Sequence, residues 1–333
     1  MRLADLPTPA LVVDHAALER NITTMAAALP AGRCRPHVKA HKTTELARLQ
    51  AAHGHRAFTC ATPREVVGMA GAGLGDDLLL ANETVDATRL RAMADCGARV
   101  TVAVDSEATI EAAAANGIRE VLVDVDVGLP RCGCLPEDAG TIADLAREHG
   151  LAVRGVMGYE GHVVGNEDRA WRAEQTELSM HRLIDASEKV GGSIISGGGT
   201  GTFDLNTWCT EIQAGSYALM DTAYGKLGLP FERAMWVHAT IISVSKRGWV
   251  IGDCGLKALG MDHGDPSVDS GKVLFCSDEH ITIHPDDADR VAVGDRVRVW
   301  PAHVDPTVAY HERMILTEGD TVIDTWDVDL RGW

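Results

Sequence analysis

The feature that most constrains the fold is an alternation. Eight short apolar runs recur between residues 35 and 220: RPHVKA (35–40), AFTCAT (57–62), DLLLAN (77–82), RVTVAVD (99–105), EVLVDVD (120–126), AVRGVMGYE (152–160), SIISGG (193–198) and EIQAGSYALM (211–220). Between them lie stretches with helical spacing, among them REVVGMAGA, SEATIEAAAANG and DAGTIADLAREHG. Continuous apolar strands separated by helices pair in parallel, with both sheet faces covered. Eight such units suit a (β/α)8 TIM-like barrel, although a doubly wound open sheet gives a similar local pattern. From about residue 236 the rhythm changes. WVHATIISVS, RGWVIGD, KVLFCS, HITIHP, DRVRVWPAHVD, ERMILT and TVIDTWDVD are strand-like runs separated by turns, which predicts an antiparallel β domain. The expected organisation is therefore a barrel over 14–235 and a β domain over 236–333, joined by an N-terminal strand from 1–13 that includes part of PALVVD.

A formal charge of -17 excludes nucleic acid and anionic membrane as partners, because both require a cationic surface. No apolar run approaches the ~20 residues that span a bilayer, and the opening MRLADLPTPALVVD lacks the apolar core of a signal peptide. The eight cysteines show no metal or disulfide spacing, so Cys132 and Cys134 read as buried thiols in a reducing compartment. The sequons at Asn21 and Asn82 carry no weight without a secretion signal. The expectation is a cytoplasmic protein.

In a barrel, functional groups belong at the C-terminal ends of the strands. Those ends carry Lys39, His41, Asn82, Asp105, Asp126, Arg131, Tyr159, His162 and the loop SGGGTGTFD (196–204). The glycines of that loop allow close backbone approach, and the N–H groups of a following helical turn suit a phosphate, with QAGSY (213–217) as a second wall. A phosphate site late in the barrel and a lysine at the end of its first run suggest pyridoxal 5′-phosphate, which needs a lysine, a phosphate anchor and groups that hold its ring. If 35–40 is a strand, Lys39 points inward near its end while Lys42 lies beyond it, so Lys39 is preferred. Arg35, His37 and His41 would favour its neutral, nucleophilic amine. In the β domain, His303 and Asp305 of PAHVDPT share one face if extended, a mixed nitrogen and oxygen pair suited to a divalent ion. His53 and His55 have the same spacing and read as surface.

Taken together, RPHVKAHK, VDVGLPRCG (125–133), GYEGH (158–162), SGGGTGTFD, EIQAGSY, GDCGLKAL (252–259) and PAHVDPTV (301–308) resemble the D-threonine aldolase / D-serine dehydratase family. These are fold-type III pyridoxal phosphate enzymes with an alanine racemase-like barrel and a C-terminal β domain, and the resemblance covers essentially the whole chain. It implies that Lys39 is the Schiff-base lysine, that Arg131 contacts the cofactor's phenolic oxygen, and that Tyr159 lies against the ring. It implies that Gly198, Gly199, Thr200, Gly215 and Ser216 hold the phosphate and that His303 and Asp305 hold a divalent metal. Mn²⁺ is the first choice, with Mg²⁺, Co²⁺ or Zn²⁺ as alternatives. The dehydratase branch typically carries H-x-C at the metal and the aldolase branch H-x-D, so Asp305 favours the aldolase. The family's proposed base lies a few residues beyond His162, near Gly165 here, which leaves His162 or a metal-bound water as base. The implied protein is a homodimer with shared active sites acting on a small β-hydroxy-D-amino acid such as D-threonine. Rival readings are a D-serine or 3-hydroxy-D-aspartate dehydratase or aldolase, an amino-acid racemase, and a non-catalytic carrier of the cofactor.

Overall fold

The computed structural model describes residues 1–30 and 32–333. The chain divides into two compact units, one comprising 25–39, 44–215 and 330–333, the other 1–24, 40–43 and 216–329.

The first unit is the expected parallel barrel. Seven strands pair in chain order, Ala57–Cys60, Asp77–Leu80, Val100–Val104, Glu120–Asp124, Ala152–Gly158, Ile194–Gly197 and Glu211–Ile212. The eighth place is filled differently from expectation: RPHVKA forms no strand. Cys34 bridges to Ile212 on one side and His37 to Thr59 on the other, both in parallel. Arg35 N–H donates to the Ile212 carbonyl at 2.9 Å, and Thr59 N–H donates to the Pro36 carbonyl at 2.9 Å, so this segment stitches the two edge strands together. Pro36 has no N–H, and the chain turns at Val38–Ala40 into a single 3-10 turn, which stops the ladder there. The last run is also shorter than expected. Only Glu211–Ile212 is strand, and Ser216–Ala218 is a 3-10 turn.

Helices return the chain between strands, with starts that the sequence encodes locally. At Thr62-Pro-Arg-Glu65 the threonine hydroxyl accepts the Glu65 N–H while the Glu65 carboxylate receives the Ala61 and Thr62 N–H groups. Asp86 and Asp168 cap the helices Ala87–Ala94 and Arg169–Val190 in the same way. Leu79, Ala103, Leu122 and Met157 pack in one layer, and Phe58, Leu78, Leu80, Val102, Val104 and Val121 pack in a second cluster with Val66, Met69, Leu90, Met93 and Ile110.

At the N-terminal ends of the strands lies a buried ionic network. Arg35, 2% exposed, donates to Glu211 at 2.8 Å and to Asp77 at 3.3 Å. Arg154 pairs with Asp77 through two contacts of 2.8 and 2.7 Å. Burial alone would raise the Asp77 pKa, but the hydrogen bonds and charges of Arg154 and Arg35 win and bring it to about 2. The expectation that Arg35 acts on Lys39 is thereby corrected: its charge is matched by two carboxylates at the strand starts.

In the second unit the strand Ala10–Asp14 joins the C-terminal sheet. It pairs antiparallel with Met235–Val244 and parallel with Arg313–Glu318, the one parallel pair in an otherwise antiparallel sheet among the described residues. Trp236, Trp300, Val12, Leu3 and Leu6 form its buried apolar cluster. The run DRVRVWPAHVD does not stay extended. Arg296–Trp300 is strand, and Val304–Tyr310 is a helix.

Candidate active site

In the barrel unit, three of the expected residues converge. Lys39 lies in the turn Val38–Ala40, with its backbone N–H at 3.4 Å from His37 Nδ1. Its Nζ is 5.9 Å from the centroid of the Tyr159 ring, and the Arg131 guanidinium carbon is 5.6 Å from the same centroid. Tyr159 directly follows Ala152–Gly158, and two glycines make room for its ring: a Cβ on Gly161 would come 2.5 Å from Tyr159 Cε1, and one on Gly199 3.3 Å from Cε2. An amine, a guanidinium and an aromatic face opposed to glycine backbone suit a planar anionic cofactor such as pyridoxal 5′-phosphate.

The loop after Ile194–Gly197 is held from inside. The fully buried Glu160 carboxylate accepts the Gly198 N–H at 3.1 Å, the Thr202 hydroxyl at 2.8 Å and the Asn206 amide at 3.3 Å. Gly199 N–H donates to Thr202 Oγ1 at 3.2 Å. The N–H groups of Gly198 and Gly199 thus shape the loop, and a Cβ on Gly201 would fall 1.8 Å from the Val164 carbonyl oxygen. Thr200 is buried in the same turn. Gly215 follows Ala214, whose carbonyl accepts the His37 N–H, and Ser216 opens its 3-10 turn in the other unit. His162 is exposed and sits against Gly128, where an added Cβ would meet its Nε2 at 3.0 Å and Arg182 Nη1 at 2.9 Å.

Sequence reasoning missed an acidic group beside Arg131. Asp124, which ends the strand Glu120–Asp124, is buried, and its carboxyl titrates well above the usual carboxylate range. Burial is the main cause, followed by the charge and hydrogen bond of Glu83, with Arg131 pulling the other way. Burial, aided by Glu83, also pushes the Cys132 thiol up to about 12, and burial with Asp124 does the same to Cys134, so neither is a thiolate near neutral pH. Both cysteines are partly exposed, where the sequence reading has them buried.

The other unit gathers the second expected group, by a different route from the extended-strand geometry. His303 is extended (φ -142, ψ 122) and is the N-cap of Val304–Tyr310, whereas Asp305 already lies in the first helical turn. His303 Nδ1 is 2.7 Å from Asp262 Oδ2. A carboxylate only accepts, so Nδ1 carries the proton of the neutral ring and the Nε2 lone pair is left to bind. Nε2 lies 3.6 Å from Asp305 Oδ2. Two donors that far apart fit one ion at bonds of about 2.0–2.2 Å. The residues present therefore fit a divalent cation.

The surrounding backbone fixes this pair. Gly260 bridges antiparallel to His303, and a Cβ there would fall 2.2 Å from Pro306 Cγ. Thr307 Oγ1 donates to the His303 carbonyl at 2.6 Å and accepts the Gly260 N–H at 2.9 Å. The buried Asp221 accepts the N–H groups of Val304 at 3.1 Å and Tyr224 at 2.9 Å, and burial raises its pKa to about 6 despite those bonds. His263 stacks on His303, centroids 3.8 Å apart at 10°. Asp262, His263 and Asp221 were not foreseen. Their signals, MDHG and MDTAY, become meaningful only once the fold places them beside PAHVD.

A seven-stranded parallel barrel with a lysine turn, and a mostly antiparallel β domain with an imidazole–carboxylate pair, define the alanine racemase-like class of fold. Residues 13–223 match the family described as "Alanine racemase, N-terminal domain", and residues 234–317 match "Putative serine dehydratase domain". The chain belongs to this family, and it is a lyase by its relatives. It is 33% identical to 3-hydroxy-D-aspartate aldolase of Paracoccus denitrificans (strain Pd 1222), covering 99% of this chain and 93% of the relative. It is likewise 33% identical to D-threonine aldolase of an Arthrobacter species, covering 99% and 94%. D-threo-3-hydroxyaspartate dehydratase of Delftia sp. (strain HT23) is 27% identical over 99% of each chain. Among solved structures, D-threonine aldolase from Filomicrobium marinum superposes with a TM-score of 0.93 at 31% identity, covering 99% of this chain and 97% of that one.

Proposed function

We propose that the chain is a pyridoxal phosphate- and divalent-metal-dependent aldolase that cleaves a β-hydroxy-D-amino acid of the D-threonine type to glycine and an aldehyde. The observation that carries this reading is the His303–Asp305 pair, spaced for one ion and with its imidazole tautomer set by Asp262. The 33% identity to two aldolases over nearly the whole chain supports it. Lys39, Arg131 and Tyr159 would hold pyridoxal 5′-phosphate, with Gly198, Gly199, Thr200, Gly215 and Ser216 around its phosphate. Bound there, that cofactor would supply an electron sink for negative charge at Cα, and a divalent ion (Mn²⁺ first) on His303 and Asp305 would supply Lewis acidity toward the β-hydroxyl.

The protein's own groups then have definite tasks. Lys39 supplies the amine that anchors the cofactor and is displaced by the substrate amine. His303 and Asp305 orient the β-hydroxyl. His162 receives the hydroxyl proton as the Cα–Cβ bond breaks; the bonding pair passes to Cα, the new carbonyl leaves as aldehyde, and Cα takes up a proton to give glycine. A homodimer with shared active sites completes the reading. Mixing Lys39→Ala with His303→Ala chains restores activity only if lysine and metal group of different chains work together.

The deciding experiment incubates the enzyme with D-threonine, D-serine and 3-hydroxy-D-aspartate, with and without Mn²⁺. Glycine and aldehyde that depend on metal support the proposal; ammonia and a keto acid support instead a dehydratase, the reading favoured by the Delftia relative. Full activity of His303→Ala or of thoroughly chelated enzyme would remove the metal role.

A further inference from the structure

Three carboxyl groups stand at the C-terminal ends of three neighbouring barrel strands, and the proposed reaction uses none of them. Glu83 lies three residues beyond Asp77–Leu80, Asp105 directly follows Val100–Val104, and Asp124 ends Glu120–Asp124. Asp105 is occupied: its Oδ2 accepts the Gly133 N–H at 3.2 Å, and the Thr109 hydroxyl donates to Oδ1 at 3.4 Å. Glu83 and Asp124 have each other instead. Glu83 Oε1 is buried, and among the described residues no N–H or alcohol group donates to it. Asp124, 4% exposed, is in hydrogen-bonding contact with Glu83. Two facing carboxylates in a buried place repel each other and lack a donor; one proton between them replaces the repulsion with an O–H···O⁻ hydrogen bond. Burial, then the charge and hydrogen bond of Glu83, keep that proton on the Asp124 side; Asp105 adds to the effect and Arg131 opposes it. Such a proton belongs to the pair.

Asp124 also faces the groups around Tyr159. With Arg131, Asp126, Cys132 and Tyr159 it lines a cavity of about 10 Å³, room for about one water molecule. Asp126 is turned to the Gly128 N–H, which it accepts at 2.8 Å, and Cys132 is an uncharged thiol near neutral pH. The backbone of the Arg131 loop is pinned separately. Cys134 N–H donates to the Asp124 carbonyl at 3.0 Å, Asp126 N–H donates to the Cys134 carbonyl at 2.9 Å, and a Cβ on Gly133 would fall 2.6 Å from the Asp126 nitrogen. The guanidinium is what stays adjustable, and the charge behind it decides where it rests. A lone, unoccupied carboxylate would draw it toward the strand ends; one occupied by its neighbour's proton leaves it on the Tyr159 side, 5.6 Å from the ring centroid.

We propose that Asp124 and Glu83 share one proton and act as the positioning pair for Arg131, keeping its guanidinium turned toward an anionic cofactor; this rests on the reading of Arg131 as a cofactor contact.

The shared proton is tested without cofactor. Infrared difference spectra of apo-protein in D2O, wild type minus Asp124→Asn, are expected to show the carbonyl stretch of a protonated carboxyl near neutral pH, since the subtraction removes Asp221 and every other acid. In Glu83→Gln the band is expected to vanish at a lower pH than in wild type, because the like charge that holds the proton is gone. No band in the difference, or an unchanged pH midpoint in Glu83→Gln, would overturn the pair. Fluorescence titration with pyridoxal 5′-phosphate then reads the positioning. Asp124→Ala frees the Glu83 carboxylate to take Arg131 and is expected to weaken binding about tenfold, the worth of one charge-assisted hydrogen bond. Asp124→Asn, whose amide still donates to Glu83, and the double variant Asp124→Ala/Glu83→Gln, which removes the competing carboxylate, are both expected to regain most of that affinity. A double variant as weak as Asp124→Ala alone would make the loss one of packing and overturn the positioning role. Arg131→Ala separates the two possible failures: if it binds cofactor as wild type does, the reading of Arg131 has failed and the pair's role with it; if it loses cofactor while Asp124→Ala does not, the pair alone is overturned.

Discussion

Arg35 and Lys39 stand four residues apart in one basic run, RPHVKAHK, yet they belong to opposite ends of the barrel. Arg35 is buried among the strand starts, its guanidinium matched by Glu211 and Asp77, with Arg154 closing the network from the far side of Asp77. Lys39 lies past the bridged segment in a 3-10 turn and brings its amine near Tyr159 and Arg131. One cation ties the strand starts together, and the other lies beside Tyr159 and Arg131. Barrels in general divide stability at the strand starts from chemistry at the strand ends, and on the proposed role of Lys39 these eight consecutive residues span that division.

The comparison breaks most sharply at Lys39. Lys39→Ala is expected to cost about 10³-fold or more in turnover and to abolish the visible absorption of bound cofactor, with little change in the unfolding midpoint. Lys42→Ala is expected to keep the absorption; if it loses it instead, the wrong lysine has been assigned. Arg35→Met should behave in the opposite way. It leaves Glu211 and Asp77 facing a removed partner, which for a buried pair costs about 3–5 kcal/mol. Denaturant unfolding reads this as a lower midpoint, while the protein that remains folded still takes up cofactor.

The bottom network also predicts an acid limb. The Asp77 pKa is depressed to about 2 from an ordinary value near 3.8, so the unfolded chain binds the proton first as pH falls. The stabilisation is complete above about pH 4 and is lost as pH approaches 2, on the order of 2 kcal/mol in all. Asp77→Asn should flatten the difference in stability between pH 5 and pH 3; an unchanged slope would mean that Arg35 and Arg154 do not act through this carboxylate. Nothing comparable is expected of Lys42→Ala.

How far the sequence could be read follows the same division. The alternation of apolar runs specified the barrel because both faces of a parallel strand are buried, and that leaves a pattern in the residues themselves. The family motifs pointed to Lys39, Arg131 and Tyr159, which the fold brings together. What could not be read was anything set by cross-chain geometry. Pro36 and the bridges of Cys34 and His37 replaced a strand with a stitched segment, so the inward-pointing argument for Lys39 did not apply although the residue still reaches Tyr159. His303 and Asp305 were paired by extended-strand spacing, but a helix begins between them and Asp262, 41 residues upstream, orients the imidazole. Carboxylates that act by bracing, such as Glu160 within GYEGH and Asp221 within MDTAY, show their role only once the fold brings their distant partners to them.

Asp262 allows that last point to be measured. In Asp262→Ala the His303 ring loses the acceptor that fixes its proton on Nδ1, and metal affinity is expected to fall about 10–100-fold. Titration with Co²⁺, followed by its visible spectrum in apo-protein, reads the affinity directly and without turnover. Asp262→Asn should recover part of the loss, since an amide oxygen still accepts from Nδ1. Equal affinities in all three proteins would leave Asp262 as a surface neighbour.

The smallest effects separate two glycines within the loop that follows Ile194–Gly197. At Gly199 an added methyl meets the edge of Tyr159 at 3.3 Å and Val164 Cγ1 at 3.5 Å, contacts that a slight tilt of the ring relieves. Gly199→Ala is therefore expected to weaken cofactor binding a few-fold while the fold is kept. At Gly201 the methyl would fall 1.8 Å from the Val164 carbonyl oxygen, and backbone cannot tilt away. Gly201→Ala is expected to displace the loop that Glu160 and Thr202 hold and to cost about 1–3 kcal/mol, as overpacking does. Fluorescence titration of pyridoxal 5′-phosphate into both apo-proteins, beside their denaturation midpoints, distinguishes them. If Gly199→Ala lowers the midpoint as much as Gly201→Ala, Tyr159 is part of the packing that holds the barrel together, and the line between its structural and chemical ends runs closer to Lys39 than the contacts of Arg35 indicate.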